Sequence, residues 1–298
     1  MATHLEVAAA LRAGEHSYSF EFFPPKTDAG EAKLWHALRE LESLQPTFAS
    51  VTYGAGGTTQ DRTVRLTRRM AAETTLNPVA HLTCVGADVE QLRAVVAQYA
   101  DAGVRNILAL RGDPSEGVGT PWVRTPDGLN SAIELVSFVR ALGDFAIGVG
   151  AFPEGHPESP DLDHDARVLV MKANAGASFA ITQFFFDLND YVDLVDRVRA
   201  MGCEIPIIPG IMPVSSIAQI TRFGQLSGGA FPADLAAQFD RYRDDPVGVA
   251  ALGVDVAAAL SQQLLDAGAP GLHFYTLNAS SATREIYDRL NLRLQRSG

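Results

Sequence analysis

Cysteine is scarce: Cys84 and Cys203 are the two in 298 residues. Neither sits in a CxxC pair, so they cannot build a disulfide framework. Basic charge is short as well. Lys and Arg number 24 against 35 Asp and Glu, the formal net charge is −11, and no basic run stands out. That excludes a nucleic-acid surface and a polybasic membrane anchor. Long apolar runs are missing too; nothing approaches about 18 uninterrupted apolar residues, so no membrane span is expected. The opening MATHLEVAAALRAGEH has no cationic start and no long apolar core. It does not read as a signal peptide, and a cytoplasmic protein is expected. There is no P-loop, HExxH or GxSxG, and no GxGxxG follows the first apolar run. The GVG at 117–119 reads only as a loop.

What is present is repetition. Eight short apolar runs recur: SFEFF (19–23), ASVTYG (49–54), AHLTC (80–84), ILALRGD (107–113), GVGAFPE (148–154), AITQFFFD (180–187), IIPGIMP (207–213) and LHFYTLN (272–278). Each is bounded by Gly, Pro, Asp or Asn, as a buried parallel strand should be. Between them lie helical patterns. In 88–102, Leu92, Val95, Val96 and Tyr99 form one apolar stripe, Asp88 and Gln91 form a capping box, and Gly103 ends the helix. Similar patterns fill 29–44, 60–75, 128–142, 163–175, 190–201 and 215–227. The last gap has room for an extra helix near 233–242 before one at 248–267. Composition, with 47% hydrophobic and 20% charged residues, is that of a globular protein. The pattern predicts a single α/β domain over 1–298: a helix in 1–16, then a (β/α)8 TIM barrel over about 17–292. A doubly wound open sheet is the alternative, but it lacks its dinucleotide fingerprint.

In such barrels the C-terminal strand ends carry the site. The rule selects Glu21, Thr52, Tyr53, His81, Thr83, Arg111, Asp113, Glu154, His156, Gln183, Asp187 and Tyr275. Glu21 stands among the aromatics of SFEFFPP, where desolvation would raise its pKa and favour the protonated state of a general acid. A structural charge pair is the other reading. Asp113 follows Arg111-Gly112; the glycine would let backbone approach a ligand, and the carboxylate could accept two hydrogen bonds from an amidine-like edge. Equally, Asp113 could cap a helix or pair with Arg111. Gln183 offers a donor and an acceptor in a greasy run, or bonds backbone. His81 and His156 have no companions at ligand spacing, so no metal site is expected. Tyr275 and Phe223 could stack on a flat ring, or belong to the core.

Taken together, SFEFFPPK, FASVTYGAGG, AHLTC, LALRGD, HPE, AGASFAITQFFFD, IIPGIMP and HFYTLN resemble the methylenetetrahydrofolate reductase family, in its short bacterial form. The resemblance spans residues 19 to 278. It implies a TIM barrel that reduces 5,10-methylenetetrahydrofolate to 5-methyltetrahydrofolate with NADH or NADPH. It implies Glu21 as the acid that opens the methylene bridge and Asp113 as the carboxylate that holds the pterin edge. Gln183 matches a further pterin contact, while Gln219, Phe223 and Tyr275 match positions lining the folate and nicotinamide site. Relatives of this kind form dimers or tetramers, which leaves room for a homo-oligomer.

The family's flavin, FMN or FAD, implies contacts from Thr52, His81, Leu110, Arg111, Gly112, Phe152, His156, Asp165 and Lys172. Here the pattern departs: Ser131 stands where Tyr is common, Phe152 replaces an aromatic hydroxyl, and Val168, Val170 and Met171 replace polar or basic groups. Charge-assisted bonds of about 1.5–3 kcal/mol each would be lost, so weakened or absent flavin binding is expected. After HFYTLN the usual Arg is Ala279, and Arg284 is the candidate to hold the folate's glutamate tail. The rivals are a pterin-binding one-carbon transferase, which needs zinc-binding cysteines or a corrinoid partner, and a non-catalytic folate-binding barrel, which would not need Glu21 and Asp113.

Overall fold

A computed structural model describes residues 7–12, 16–53, 57–114, 120–221 and 231–292. The chain alternates strand and helix. First come α1 (Val7–Arg12), β1 (Ser17–Phe22), α2 (Asp28–Glu42), β2 (Phe48–Val51), α3 (Gly57–Glu73) and β3 (Pro78–Thr83). Then come α4 (Val89–Asp101), β4 (Asn106–Leu110), α5 (Ala132–Leu142), β5 (Ala146–Ala151), α6 (Leu162–Asn174) and β6 (Phe179–Phe184). The last are α7 (Leu188–Ala200), β7 (Ile207–Ile211), α8 (Ala233–Asp240), α9 (Pro246–Asp266), β8 (Gly271–Tyr275) and α10 (Ser281–Arg289). All eight strands pair in parallel and in chain order, and β8 pairs with β1, so the sheet is a closed barrel.

Every expected strand is present, starting within two residues of its apolar run and stopping short of its end in all eight cases; the trailing residues leave the ladder to form the loops at the C-terminal mouth. The capping box at Asp88 and Gln91 forms as expected. Expected at 128, the fifth helix starts at Ala132, because Ser131 accepts the Glu134 N–H and caps it (3.2 Å). Residues 217–221 are helical, within the stretch expected at 215–227. The closing helix α10 was not foreseen; it buries little beyond Thr283, Ile286 and Tyr287, too few for a periodic signal.

Strand side chains alternate between two faces. Tyr18, Phe20 and Phe22 point outward into the layer between barrel and helices, where Phe20 meets Phe274 and Tyr287. Ser19 and Glu21 point inward. The barrel's lower interior is a second apolar cluster of Phe48, Val79, Leu108, Phe179, Ile181 and Ile208. Helix α1 plugs it with Val7 and Leu11, and the Val7 N–H donates to Asn106 Oδ1 at the start of β4 (3.0 Å). Helix α9 is long and apolar enough to cross a bilayer by composition. It is nevertheless a barrel-wall helix, with Val249, Val254, Ala257, Ala258, Leu260 and Leu264 buried.

Candidate active site

The inward positions of β1, β2, β3 and β8 converge on one carboxylate. Glu21 is 5% exposed. Its Oε1 accepts from Thr52 Oγ1 (3.0 Å), and its Oε2 accepts from Ser50 Oγ (3.4 Å). His273 Nε2 lies 3.2 Å from Oε2 and His81 Nε2 lies 3.3 Å from it. The sheet register makes this meeting: Glu21 pairs with Ser50 on β2 and with Tyr275 on β8.

This corrects the expected charge state. Burial does push the Glu21 carboxyl up, but the His81 charge, the His273 and His81 contacts and the His273 charge outweigh it and hold the group well below the usual range. The reason is strand alternation: Phe20 and Phe22, its neighbours in sequence, face the other way. The surroundings of Glu21 are imidazoles and hydroxyls, not aromatic rings, and it rests ionised.

Thr52 and His81 therefore join Glu21. His81 is 2% exposed, and neither ring nitrogen finds a hydrogen-bond partner among the described residues, the Glu21 approach being off the hydrogen-bond line. Buried polar atoms left without a partner call for an explanation, such as a catalytic role or a bound water or ion. Tyr275 lies beside the cluster, edge-on to His273 (5.2 Å between centroids). Its hydroxyl donates to Thr182 O (2.8 Å), and burial, then the Glu21 charge, raises its pKa well above the usual value. The ring lies over β7 where Gly210 leaves room; a Cβ there would come within 2.7 Å of it. Gln183 stands where the β6–β7 register breaks, and its Oε1 accepts the Phe184 N–H (3.1 Å), the backbone use anticipated for it. Gln219 Oε1 accepts from Ser215 N (2.7 Å) and Oγ (2.9 Å), leaving its Nε2 buried with no partner among the described residues. Phe223 and the GVG at 117–119 lie outside the described residues.

At the end of β4, Asp113 is exposed. Neither structural role considered for it applies: Ser131 caps α5, and Arg111 pairs with Glu158 through both guanidinium nitrogens (2.5 and 2.9 Å) while lying over Trp122. Leu110 packs on the apolar cluster inside the barrel. Gly112 has φ +83°, and a Cβ would come within 2.5 Å of Val85, so backbone and packing both require glycine there. Tyr53 is core, its hydroxyl pushed up to about 12 by burial and then by Asp61. Glu154, at the end of the fifth run, is pushed up to about 7 by burial and then by Asp190.

The residues matched to the flavin's outer part are used internally. Asp165 braces the loop after β5, accepting from His156 N (3.0 Å) and Ser159 Oγ (2.6 Å). Phe152 packs edge-on against the His156 ring (4.8 Å), and burial, then Arg111, lowers the His156 pKa. Lys172 is buried, its Nζ donating to Gly150 O (2.8 Å), and burial lowers its pKa to about 8. Arg167 pairs with Asp161 (3.6 Å), Val170 packs on the core, Val168 is half-buried and Met171 is 53% exposed. Arg284 is not brought to the cluster either: on α10 it pairs with Glu40 of α2 (3.3 Å), while Ala279 is exposed.

Sequence reasoning missed Ser19, His273 and Asn278. The first two alternate with Glu21 and Tyr275, and that spacing was the available signal. Asn278 donates to Phe23 O and accepts from Phe23 N (2.8 Å each), and Thr276 Oγ1 donates to Glu21 O (2.7 Å). The turn after β8 thereby clamps the strand end that carries Glu21.

Fold and site together define a (β/α)8 barrel with a buried carboxylate–imidazole cluster at its C-terminal mouth. A family model described as methylenetetrahydrofolate reductase matches residues 6–291. The 5,10-methylenetetrahydrofolate reductase of Pectobacterium carotovorum subsp. carotovorum is 40% identical over 281 residues, covering 94% of this chain and 92% of its own. That of Escherichia coli (strain K12) is 39% identical over 280 residues, with the same coverage. Methylenetetrahydrofolate reductase (NADH) 1 of Arabidopsis thaliana is 34% identical over 298 residues, 96% of this chain and 50% of that longer protein. The chain belongs to the methylenetetrahydrofolate reductase family, whose members draw on NAD(P)H and generally on a flavin. Among solved structures, an uncharacterized protein from Clostridium thermocellum that binds two copies of 5-methyl-5,6,7,8-tetrahydrofolic acid shares the fold, with a TM-score of 0.65 at 14% identity over 98% of this chain and all of that one.

Proposed function

We infer that this chain reduces 5,10-methylenetetrahydrofolate to 5-methyltetrahydrofolate with a reduced nicotinamide, NADH or NADPH, and that Glu21 opens the methylene bridge. The observation that carries the reading is the Glu21 cluster, set at the barrel mouth of a chain of this family. The names of substrate and product state the chemistry: carbon stays on N5 and leaves N10. Breaking the C–N10 bond makes N10 an amine, so that nitrogen must gain a proton, and the remaining N5 iminium accepts hydride. Glu21 is the group to deliver the proton. The exposed Asp113 carboxylate, free of both Arg111 and the α5 cap, suits the two N–H groups of a pterin edge. Gln219 Nε2 and Tyr275 supply a donor and an aromatic wall, Gln183 a further pterin contact, and Phe223 is retained on resemblance alone.

The phosphate end does not fit a flavin nucleotide. Lys172 is turned inward onto Gly150 O, Arg111 is taken by Glu158, Arg167 by Asp161, and Val168 and Met171 offer no polar group. No step is therefore routed through a flavin in this reading; hydride passes from the nicotinamide to the iminium carbon, and His81 is left to meet the ligand. Two measurements test it. Oxidation of NADH or NADPH that depends on methylenetetrahydrofolate and yields 5-methyltetrahydrofolate is expected; no such dependence refutes the activity. Protein purified from its native host is expected to show no visible flavin band, and a stoichiometric one refutes the direct transfer.

A further inference from the structure

Strand β6 breaks its own alternation. Phe179 and Ile181 face inward, as part of the lower interior cluster. Alternation would then put Phe185 inside and Phe184 outside. The molecule does the reverse. Phe184 packs with Met212, Val214 and Phe239 and meets Tyr275 edge-on (6.1 Å between centroids). Phe185 lies in the layer between barrel and helices, stacked on Tyr191 of α7 (6.1 Å, 9° between planes). The pairing explains the change: Ile181 stands opposite Ile208 but Phe184 opposite Gly210, so β6 takes three steps where β7 takes two. The extra residue is a bulge, and it returns the side chains beyond it to the opposite face. It falls at Thr182 and Gln183.

Two other strands hold this bulge, and both act on Thr182. Gly210 of β7 donates its N–H to Thr182 Oγ1 (2.8 Å), and the Tyr275 hydroxyl of β8 donates to Thr182 O (2.8 Å). The phenol gets there by crossing β7, which is possible because residue 210 has no side chain. A Cβ there would lie 2.4 Å from Thr182 O and 2.7 Å from the tyrosine ring. Burial, then the Glu21 charge, keeps the hydroxyl protonated, so it stays a donor at the pH values in which an enzyme works. Thr182 is fully buried, so water does not replace the phenol if it is removed. At the next residue, Gln183 Oε1 accepts the Phe184 N–H (3.1 Å), which ties the amide to the bulge itself.

Resting on the pterin contact assigned to Gln183 above, we propose that the Tyr275 hydroxyl is the strut that positions Gln183. The ring remains a wall of the site. The hydroxyl works one residue further on, pinning Thr182 so that the bulge, and with it the Gln183 amide, keeps one arrangement. An amide already fixed in its binding orientation loses no free energy to ordering when the pterin edge arrives, whereas a loose one does. Because the hydroxyl acts through Gln183, Tyr275 is in this respect a positioning residue. Its removal should weaken folate binding and spare proton delivery, since Glu21 is held by Thr52, Ser50, His81 and His273 and not by the phenol.

The test is a double-mutant cycle on the KM for methylenetetrahydrofolate, with Tyr275→Phe and Gln183→Ala. Tyr275→Phe keeps the ring and removes only the strut; folate KM should rise about tenfold, with kcat and the nicotinamide KM within about threefold. Gln183→Ala should raise folate KM as well, and the double variant should be no worse than Gln183→Ala alone, since the strut then has nothing to position. Additive losses, a folate KM within about twofold of the wild type in Tyr275→Phe, or a loss confined to kcat overturn the proposal. Should Tyr275→Phe fail to fold, Thr182→Val removes the acceptor of the Gly210 tether and should show the same non-additivity with Gln183→Ala; additive losses there overturn the proposal equally. A third measurement needs no substrate, so it separates this proposal from the assigned reaction. Hydrogen exchange of the Phe184 amide, which Gln183 Oε1 holds, should be about tenfold faster in Tyr275→Phe, with the β1 amides unchanged. A Phe184 rate that stays at the wild-type value, or rises only in step with β1, rejects the strut whatever the enzyme's substrate.

Discussion

Replacing Glu21 with Gln preserves shape and removes one proton's chemistry. The amide oxygen continues to accept from Thr52 Oγ1, as Oε1 does now at 3.0 Å. The amide nitrogen falls where Ser50, His81 and His273 converge on Oε2 at 3.4, 3.3 and 3.2 Å. Donors then face a donor, so the pocket survives in outline while the acid is lost. A positioned general acid contributes about 10²–10⁴ in rate, about 2.7–5.4 kcal/mol of barrel-mouth chemistry at about 1.36 kcal/mol per tenfold. Turnover of NADH with saturating methylenetetrahydrofolate should fall by that factor, with folate still binding by calorimetry. The same variant changes acid stability. The folded carboxyl titrates below its usual 4.5, so the unfolded chain binds the proton more tightly. The ionised group therefore adds stability that is fully present above about 4.5 and is lost as the pH falls below it; E21Q should lack this limb. A variant that turns over within about tenfold of the wild type, or whose acid unfolding runs parallel to it, would refute the assignment of Glu21.

Lys172→Met tests the inward turn of that ammonium group. The pKa drops from 10.5 to about 8 on folding, so the unfolded chain holds the proton more tightly between those values and wild-type stability rises with pH across that window. Relative to the variant the gain should reach about 3 kcal/mol, at about 1.36 kcal/mol per unit of pKa, and urea midpoints that stay parallel would contradict it. Asn278→Ala removes both bonds to Phe23 from a residue at φ 59°, and should lower stability by about 1–3 kcal/mol; an unchanged urea midpoint would show the clamp to be idle. Arg284→Ala should leave folate KM within about twofold, because Arg284 faces Glu40, whereas a tenfold rise would return it to the role of tail binder.

Much of the fold was legible because buried parallel strands and capped amphipathic helices are written in local patterns. The eight runs, the Asp88 capping box and the extra helix at α8 were of that kind. Boundaries slipped where a side chain rather than a period decided them, as at Ser131. The set of mouth residues was also legible, since it follows from where strands end. What local pattern did not show was the company some residues keep: Gly112 lies against Val85, Asp165 braces its own loop, and Arg284 pairs with Glu40 of α2.

By itself, the sequence determined eight alternating strand–helix units, the strand ends at which to look for chemistry and the family the motifs resemble, because period, strand ends and motif order are properties of neighbouring residues; closure itself rests on β8 pairing with β1. The tertiary structure decided the charge on Glu21. The aromatics beside it in sequence turn away by strand alternation, and His273, 252 residues distant in the chain, is delivered to its carboxylate only when β8 closes on β1. Electrostatics depends on distance in space, which local pattern does not encode.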